Sequence, residues 1–179
     1  MTELSPARLW VMRGAFLLLA LLLILFQLLP LETLPRTWAG PDLLLCFACA
    51  WSLRRPEYVP AVPLALTFFL ADLLLQRPPG LLALLTLIAC ENLKIRSRSL
   101  RDSSFPAEWL TVSVTFIVLA MANRLVLAIA LVDLPPLTLF LSGLAMSVLV
   151  YPAVVLITHF AMGVRMAAPG DLDALGQRV

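Results

Sequence analysis

The sequence predicts an all-α integral membrane protein with six transmembrane helices. Three observations predict this class: 61% of the 179 residues are hydrophobic, only 13% are charged, and the mean hydropathy is +0.98. Soluble domains hold about 45–50% apolar and about 25% charged residues. Prolines separate the long apolar runs, and proline suits the start of a helix but interrupts its interior. We expect one transmembrane domain over residues 1–165 and a short cytoplasmic tail over 166–179.

A length criterion defines the six helices, since crossing a hydrocarbon core of ~30 Å takes about 20 apolar residues. The predicted helices cover residues 10–29, 41–53, 59–76, 80–93, 110–132 and 137–164. In the first, Arg8 and Arg13 precede the apolar run from Gly14 to Leu29, a pattern that resembles a signal peptide. Its apolar run is longer than the usual ~7–15 residues, however, and more apolar segments follow. We therefore expect an uncleaved membrane helix.

The second helix is short, because residues 41–53 reach only about 20 Å. The alternative is a re-entrant hairpin formed by the second and third segments. Such a hairpin would place Arg54 and Arg55 inside the membrane, at about 2.5–3.5 kcal/mol each. Extension by Trp38 and Gly40, together with local bilayer thinning, allows a full crossing instead. Six spans are therefore favoured.

The distribution of basic residues predicts that both termini are cytoplasmic. With the N-terminus inside, the outer loops hold only Arg36 and Arg77, and Arg124 lies within the fifth helix. The other ten basic residues lie in inner segments: Arg8, Arg13, Arg54, Arg55, Lys94, Arg96, Arg98, Arg101, Arg165 and Arg178. Because Lys and Arg accumulate on the cytoplasmic side, this asymmetry sets the orientation of the chain.

Residues that could carry out chemistry are few. The chain has one histidine, His159, and one C-x-x-C pair, Cys46 and Cys49. It has no phosphate-binding loop, zinc-protease motif or nucleophile elbow. A lone histidine is typical of hydrogen-bonded packing, and C-x-x-C in a membrane helix lacks the βαβ context of a redox motif. We expect no enzymatic activity, no catalytic residue, no cofactor or metal, and no nucleic-acid partner.

Two charges inside predicted helices are candidate functional residues. Asp72 lies near the outer end of the third helix and Arg124 in the outer half of the fifth. Charges in a bilayer normally face the bundle interior, where they are paired or hydrated. The two residues are therefore a hypothetical ion pair. This polar locus could serve a substrate or a partner's helix, or the residues could be structural, with Asp72 simply reaching the outer interface.

Two other features could contact partners. The basic stretch 91–102 is a predicted cytoplasmic loop that could dock on anionic lipid or a protein, or act only as a topological determinant. Its basic residues are Lys94, Arg96, Arg98 and Arg101. In the sixth helix, Gly143 and Ser147 form a small-xxx-small pair that permits close approach of another helix. For a six-helix bundle, an internal helix is the expected partner.

Three segments occur in order along the middle of the chain: Gly40-Pro-Asp-Leu-Leu-Leu45, Ala71-Asp-Leu-Leu-Leu75 and Pro79-Gly-Leu-Leu-Ala83. In this order the chain resembles the rod shape-determining MreD family. That family typically has a Pro-Asp start to its second helix, Asp-Leu-Leu near the end of the third, and a Pro-Leu-Gly-like turn into the fourth. The matching residues are Pro41, Asp42, Asp72 and Gly80. Phe68-Phe-Leu-Ala precedes Asp72, where the family is often Gly-rich.

The resemblance implies a non-enzymatic scaffold subunit of the bacterial cell-elongation complex, in the inner membrane. Its implied partners are MreC, a single-span protein, and through it MreB filaments, RodA and a penicillin-binding transpeptidase that build peptidoglycan. It also implies a fold similar to the substrate-binding S components of energy-coupling-factor transporters. A vitamin-binding transporter subunit is therefore the alternative function. Sparse polar residues and short outer loops argue against the ligand pocket it needs.

Overall fold

The computed structural model describes residues 6–29, 38–100 and 104–164. Within those ranges the chain forms six α-helices, one 3₁₀ turn and no strand. The helices are α1 (Pro6–Leu28), α2 (Leu43–Arg54), α3 (Ala61–Leu74), α4 (Leu81–Ser97), α5 (Phe105–Ile129) and α6 (Leu137–Met162), with the 3₁₀ turn at Pro56–Tyr58. Several residues used for the topology prediction lie outside the described ranges: Arg36, Arg101, Arg165, Arg178 and the tail 166–179.

In the part of the chain that the structure describes, three helices, α1, α5 and α6, are long and apolar enough to cross a membrane. The 25 residues of α5 extend roughly 38 Å, which exceeds the ~30 Å of a hydrocarbon core. Only 17–22% of the most apolar 18 residues of these helices is buried within the protein. A large apolar surface of this kind is stable in lipid, whereas soluble proteins rarely expose one. The prediction of a helical, membrane-embedded protein is confirmed.

The helices alternate in direction, so that two ends of the bundle can be defined. Arg77, in the connection between α3 and α4, reaches Asp42 just before α2. Arg54, at the end of α2, reaches Glu108 at the start of α5. We refer to these as the Asp42 end and the Arg54 end. Helices α2, α4 and α6 start at the Asp42 end, and α1, α3 and α5 finish there.

The short helix α2 is the centre of the bundle. It has 12 residues, and every side chain from Leu44 to Leu53 is buried. Helices α1, α4 and α6 pack around it. The backbone N–H of Asp42 donates to Oγ of Ser147 at 2.9 Å, and Ser147 lies ten residues beyond the first residue of α6. The start of α2 is therefore recessed by roughly 15 Å relative to the start of α6.

Stacked aromatic rings join α1 to the core helix. The ring centroids of Phe16 and Phe47 are 5.2 Å apart and nearly parallel. The Trp51 ring lies 5.0 Å from Phe47 and 6.0 Å from Tyr58 of the 3₁₀ turn. Aromatic pairs contribute about 0.5–1.5 kcal/mol each beyond the area they bury. This row of rings fixes α2 against α1 towards the Arg54 end.

The observed helix bounds differ most from the predicted bounds around the connection between α4 and α5. Helix α4 continues to Ser97, past the predicted end at residue 93, and α5 begins at Phe105, before the predicted start at 110. Lys94 and Arg96 occupy the last turn of α4, where cations favour the negative end of the helix dipole. Hydropathy marks where apolar sequence stops, and a helix can continue past that point in polar residues.

Candidate functional site

Asp42 holds the start of α2 against two other parts of the bundle. Its Oδ1 accepts a hydrogen bond from the N–H of Leu45 at 3.1 Å, which makes it the N-cap of α2. Such a cap is worth about 1 kcal/mol. Its own N–H donates to Ser147, and its Oδ2 lies 3.6 Å from Nη1 of Arg77. Asp42 therefore joins α2 to α6 and to the turn between α3 and α4.

The small residues of α6 contact the segment that leads into α2. A Cβ atom built on Gly143 would lie 3.2 Å from Cβ of Ala39, a tight contact that a glycine at this position avoids. The N–H of Ala39 donates to Oγ of Ser142 at 3.0 Å. Oγ of Ser147 donates to the carbonyl of Gly143 at 2.8 Å. The close partner of this small-residue surface is thus internal, and it is the segment preceding α2.

Asp72 is fully buried and holds the start of α4. Its Oδ2 accepts hydrogen bonds from the N–H groups of Gly80 at 3.1 Å and Ala83 at 3.2 Å. These are donors that a helix start leaves without a partner inside the helix. Gly80 has φ = +83°, a left-handed conformation that glycine adopts without steric cost. Oδ1 of Asp72 has no hydrogen-bond partner among the described residues.

The hypothetical ion pair between Asp72 and Arg124 does not form, although the structure describes both side chains. Nη1 of Arg124 donates to the carbonyl of Pro135 at 3.2 Å, and its guanidinium carbon lies 4.9 Å from the ring centroid of Phe140. Arg124 therefore fastens the connection between α5 and α6. Asp72 and Arg124 lie apart because α3 packs on α1 and α4, whereas α5 packs on α4 and α6.

A cavity of about 790 Å³ opens at the Asp42 end. It lies at the recessed start of α2, between longer helices that extend beyond the first residue of α2. Its polar lining residues are Gln27, Asp42, Gln76, Arg77, Asn123, Asp133 and Ser147, among many leucines. Pro41 and Gly143 also line it. The sequence led us to expect polar residues too sparse for a ligand pocket; the structure brings residues scattered along the sequence together at one end of the bundle.

A buried polar cluster at the Arg54 end was missed by the sequence analysis. Nε and Nη2 of Arg54 donate to Oε1 and Oε2 of Glu108, both at 2.8 Å, and the hydroxyl of Tyr151 donates to Oε1 at 2.9 Å. The side chains of Arg54 and Glu108 are 11% and 4% exposed. The cluster joins α2, α5 and α6. The sequence contained a signal for this cluster. Glu108 is an acid in the first turn of an apolar helix, and the predicted topology puts that turn on the same side of the membrane as Arg54.

The basic stretch after α4 divides into a structural and an exposed part. Nζ of Lys94 donates to the carbonyl of Val59 and to Oε1 of Glu91, both at 2.6 Å. Its side chain is only 13% exposed, so Lys94 holds α4 against the start of α3. Arg96 and Arg98 are exposed. Of the described basic residues in this stretch, these two offer positive charge to a partner or a lipid surface.

The remaining candidates for chemistry occupy packing positions. The thiol of Cys46 donates to the carbonyl of Ser147 at 3.4 Å, and the ring of His159 lies edge-on to Phe160 with centroids 5.3 Å apart. Across the described residues, no three His, Cys, Asp or Glu side chains are grouped to hold a metal ion. Comparisons of the chain with protein-family models, characterised proteins and solved structures find no match.

Proposed function

We propose that this protein is a non-enzymatic membrane scaffold of the bacterial cell-elongation complex. In that role it couples an MreC-like single-span protein and cytoplasmic MreB filaments to peptidoglycan synthesis by RodA and a penicillin-binding transpeptidase. The proposal starts from the resemblance of residues 40–92 to the MreD family. One structural observation supports it further: contacts of Asp42, Asp72 and the intervening Arg77 bring the three resembling segments together.

The three segments lie at the helix ends where the family pattern has them. Gly40–Leu45 starts α2, Ala71–Leu75 ends α3, and Pro79–Ala83 starts α4. Asp72, in the second segment, accepts two N–H groups of the third. Arg77, between those two segments, approaches Asp42 of the first. Both motif aspartates therefore accept hydrogen bonds at helix starts, and these contacts hold the three segments together at the Asp42 end.

In this proposal all six helices cross the bacterial inner membrane, with the Arg54 end and both termini in the cytoplasm. The alternating helix directions and the positive charges of the inner segments support this topology. The 12 residues of α2 need not match the bilayer thickness, because protein surrounds that helix. The proposed fold is similar to that of the S components of energy-coupling-factor transporters.

A scaffold needs surfaces for several partners, and the bundle offers two kinds. The lipid-facing sides of α1, α5 and α6 are apolar and mostly exposed, which suits packing against a partner's transmembrane helix. Arg96 and Arg98 are exposed at the Arg54 end, where they suit an acidic protein surface in the cytoplasm.

Purification of the affinity-tagged chain from its native membranes in mild detergent tests the scaffold role. We expect a single-span protein with an extracytoplasmic coiled coil to co-purify, together with a polytopic glycan polymerase. Depletion of the chain should turn rod-shaped cells round. An unrelated small helical membrane protein with the same tag is the matched control. Recovery of the chain with no such partner, and normal cell shape after depletion, would contradict the proposal.

A substrate-binding subunit of a small-molecule transporter is the second candidate function. The observation that favours it is the cavity of about 790 Å³, since ligand pockets range over about 300–1,000 Å³. The same purification separates the two functions. A transporter subunit should co-purify with ATPase subunits, and uptake of its substrate should stop when the chain is depleted while cell shape stays unchanged.

A further inference from the structure

We propose that the cavity at the Asp42 end binds an amphiphile with an apolar body and a zwitterionic head group. The inference does not depend on the scaffold role, and it defines the ligand class for the cavity on which the second candidate function rests. Its test uses the purified chain alone. Failure to capture a partner protein would therefore leave this inference unaffected.

The depth of the cavity and its apolar lining suit a hydrocarbon body. The lining residues of α5 include Phe116, Ala120, Asn123 and Leu127, which recur every three or four residues and so share one face of the helix. From Phe116 to Leu127 this face extends roughly 17 Å along α5. Around its deeper part, the buried side chains of Phe116 and Leu119 line the cavity with leucines of neighbouring helices.

Polar side chains along the cavity are free to bind a head group. Within the described part of the chain, the side chains of Gln27, Gln76, Asn123 and Asp133 form no hydrogen bond with another residue. Asn123 is the strongest indication of a polar ligand, because it is half-buried inside a helix long enough to cross a membrane. An amide without a partner is costly in an apolar medium. Its placement on the cavity wall gives it access to water or to a polar ligand.

The charges at the cavity favour a head group that carries one positive and one negative charge. Among the described residues, Arg77 contacts one carboxylate, that of Asp42 at 3.6 Å, which leaves most guanidinium donors available for a phosphate or carboxylate. Asp133 is exposed at the cavity and can accept hydrogen bonds from an ammonium group. A head with a single charge would satisfy only one of these two partners.

Native mass spectrometry of the full chain, released from neutral maltoside micelles, can measure this binding. The probes are lysophosphatidylethanolamine, lysophosphatidylglycerol and an alkylammonium of equal chain length. We expect saturable one-to-one binding of the zwitterion, about tenfold tighter than that of either singly charged probe. Two-chain phosphatidylethanolamine forms a fourth arm. Tighter binding of that lipid would identify a membrane lipid as the source of the head group, and weaker binding a free single-chain amphiphile.

Substitutions then locate the site. Ala120→Phe fills part of the cavity and should weaken zwitterion binding by more than about tenfold, whereas Ala128→Phe, on an exposed position of the same helix, should not. Asp133→Asn should shift the preference towards the anionic probe, and Arg77→Gln towards the cationic one. These two residues are partly or fully exposed, so both variants should fold. Equal effects of the two phenylalanines, unsaturable binding, or unchanged preferences in both charge variants would overturn the proposal.

Discussion

The cluster of Arg54, Glu108 and Tyr151 allows a quantitative test of how the bundle is held together. We consider Glu108→Leu and Arg54→Met, each alone and both together. The two hydrogen bonds between these side chains are 2.8 Å long, and both groups are almost fully buried. An exposed ion pair contributes only about 0–1 kcal/mol. Removing one partner of a buried pair leaves a charge without compensation and costs about 3–5 kcal/mol.

The double variant provides the decisive comparison. Replacing both partners of a buried pair by apolar residues of similar volume is often neutral or even stabilising. We therefore expect the double variant to be more stable than either single one, which corresponds to a coupling of at least about 3 kcal/mol. Tyr151→Phe, which removes one hydrogen bond to a charged group, should cost about 1.5–3 kcal/mol.

Reversible unfolding in mixed detergent micelles, followed by circular dichroism, measures these free energies. Arg96→Met is the matched control, because Arg96 is exposed and its partner is the side chain of Asn92 in the same helix. It should change stability by less than about 0.5 kcal/mol. Additive effects of the two single substitutions, or single effects as small as that of the control, would show that the pair does not act as a buried unit.

Three other predictions follow from the Asp42 end and from the proposed topology. Gly143→Leu should destabilise the protein by about 1–3 kcal/mol in the same unfolding assay through overpacking, and Gly143→Ala by less; equal stability of all three forms would refute the close approach. Asp72→Ala should cost about 1–3 kcal/mol, because it leaves buried N–H groups without an acceptor, whereas Asp72→Asn, which keeps one, should cost less. The described cysteines are all buried, so single cysteines can report topology: an impermeant maleimide should label Leu131→Cys in intact spheroplasts and Arg98→Cys only after permeabilisation, and the reverse pattern would contradict the orientation.

The sequence was sufficient to predict the protein class and the approximate positions of the helices. For α6 the predicted range 137–164 differs from Leu137–Met162 by two residues at one end only, since the pair Pro135-Pro136 and a long apolar run define it. Hydropathy could not distinguish α2, which protein surrounds, from helices that face lipid. Leucine and phenylalanine suit both surroundings equally well, so the pattern contains no signal for which side is covered.

The sequence also did not predict which side chains on different helices contact one another. Asp72 and Arg124 were a hypothetical ion pair because their predicted depths in the membrane are compatible; the alternative was that Asp72 simply reaches the outer interface. Each instead binds backbone groups nearby in sequence: Asp72 at the start of α4, and Arg124 at Pro135. In a bilayer any local hydrogen-bond partner can compensate a polar group, and it costs less chain entropy than a distant one. Opposite charge at similar depth is therefore weak grounds for predicting a contact.

The late start of α2 accounts for polar residues at the Asp42 end of the bundle. A helix that starts inside protein leaves N–H groups where water is scarce, and those groups must find partners. At the start, Asp42 accepts the N–H of Leu45 and donates its own N–H to Ser147. The pair of Arg54 and Glu108 lies at the other end, where α2 finishes beside the start of α5. A longer α2 that began level with α6 would fill the space above Asp42. The capping role of Asp42 and the cavity are thus two consequences of one late helix start. Extending α2 towards the Asp42 end should therefore close the cavity and leave the cluster of Arg54, Glu108 and Tyr151 intact.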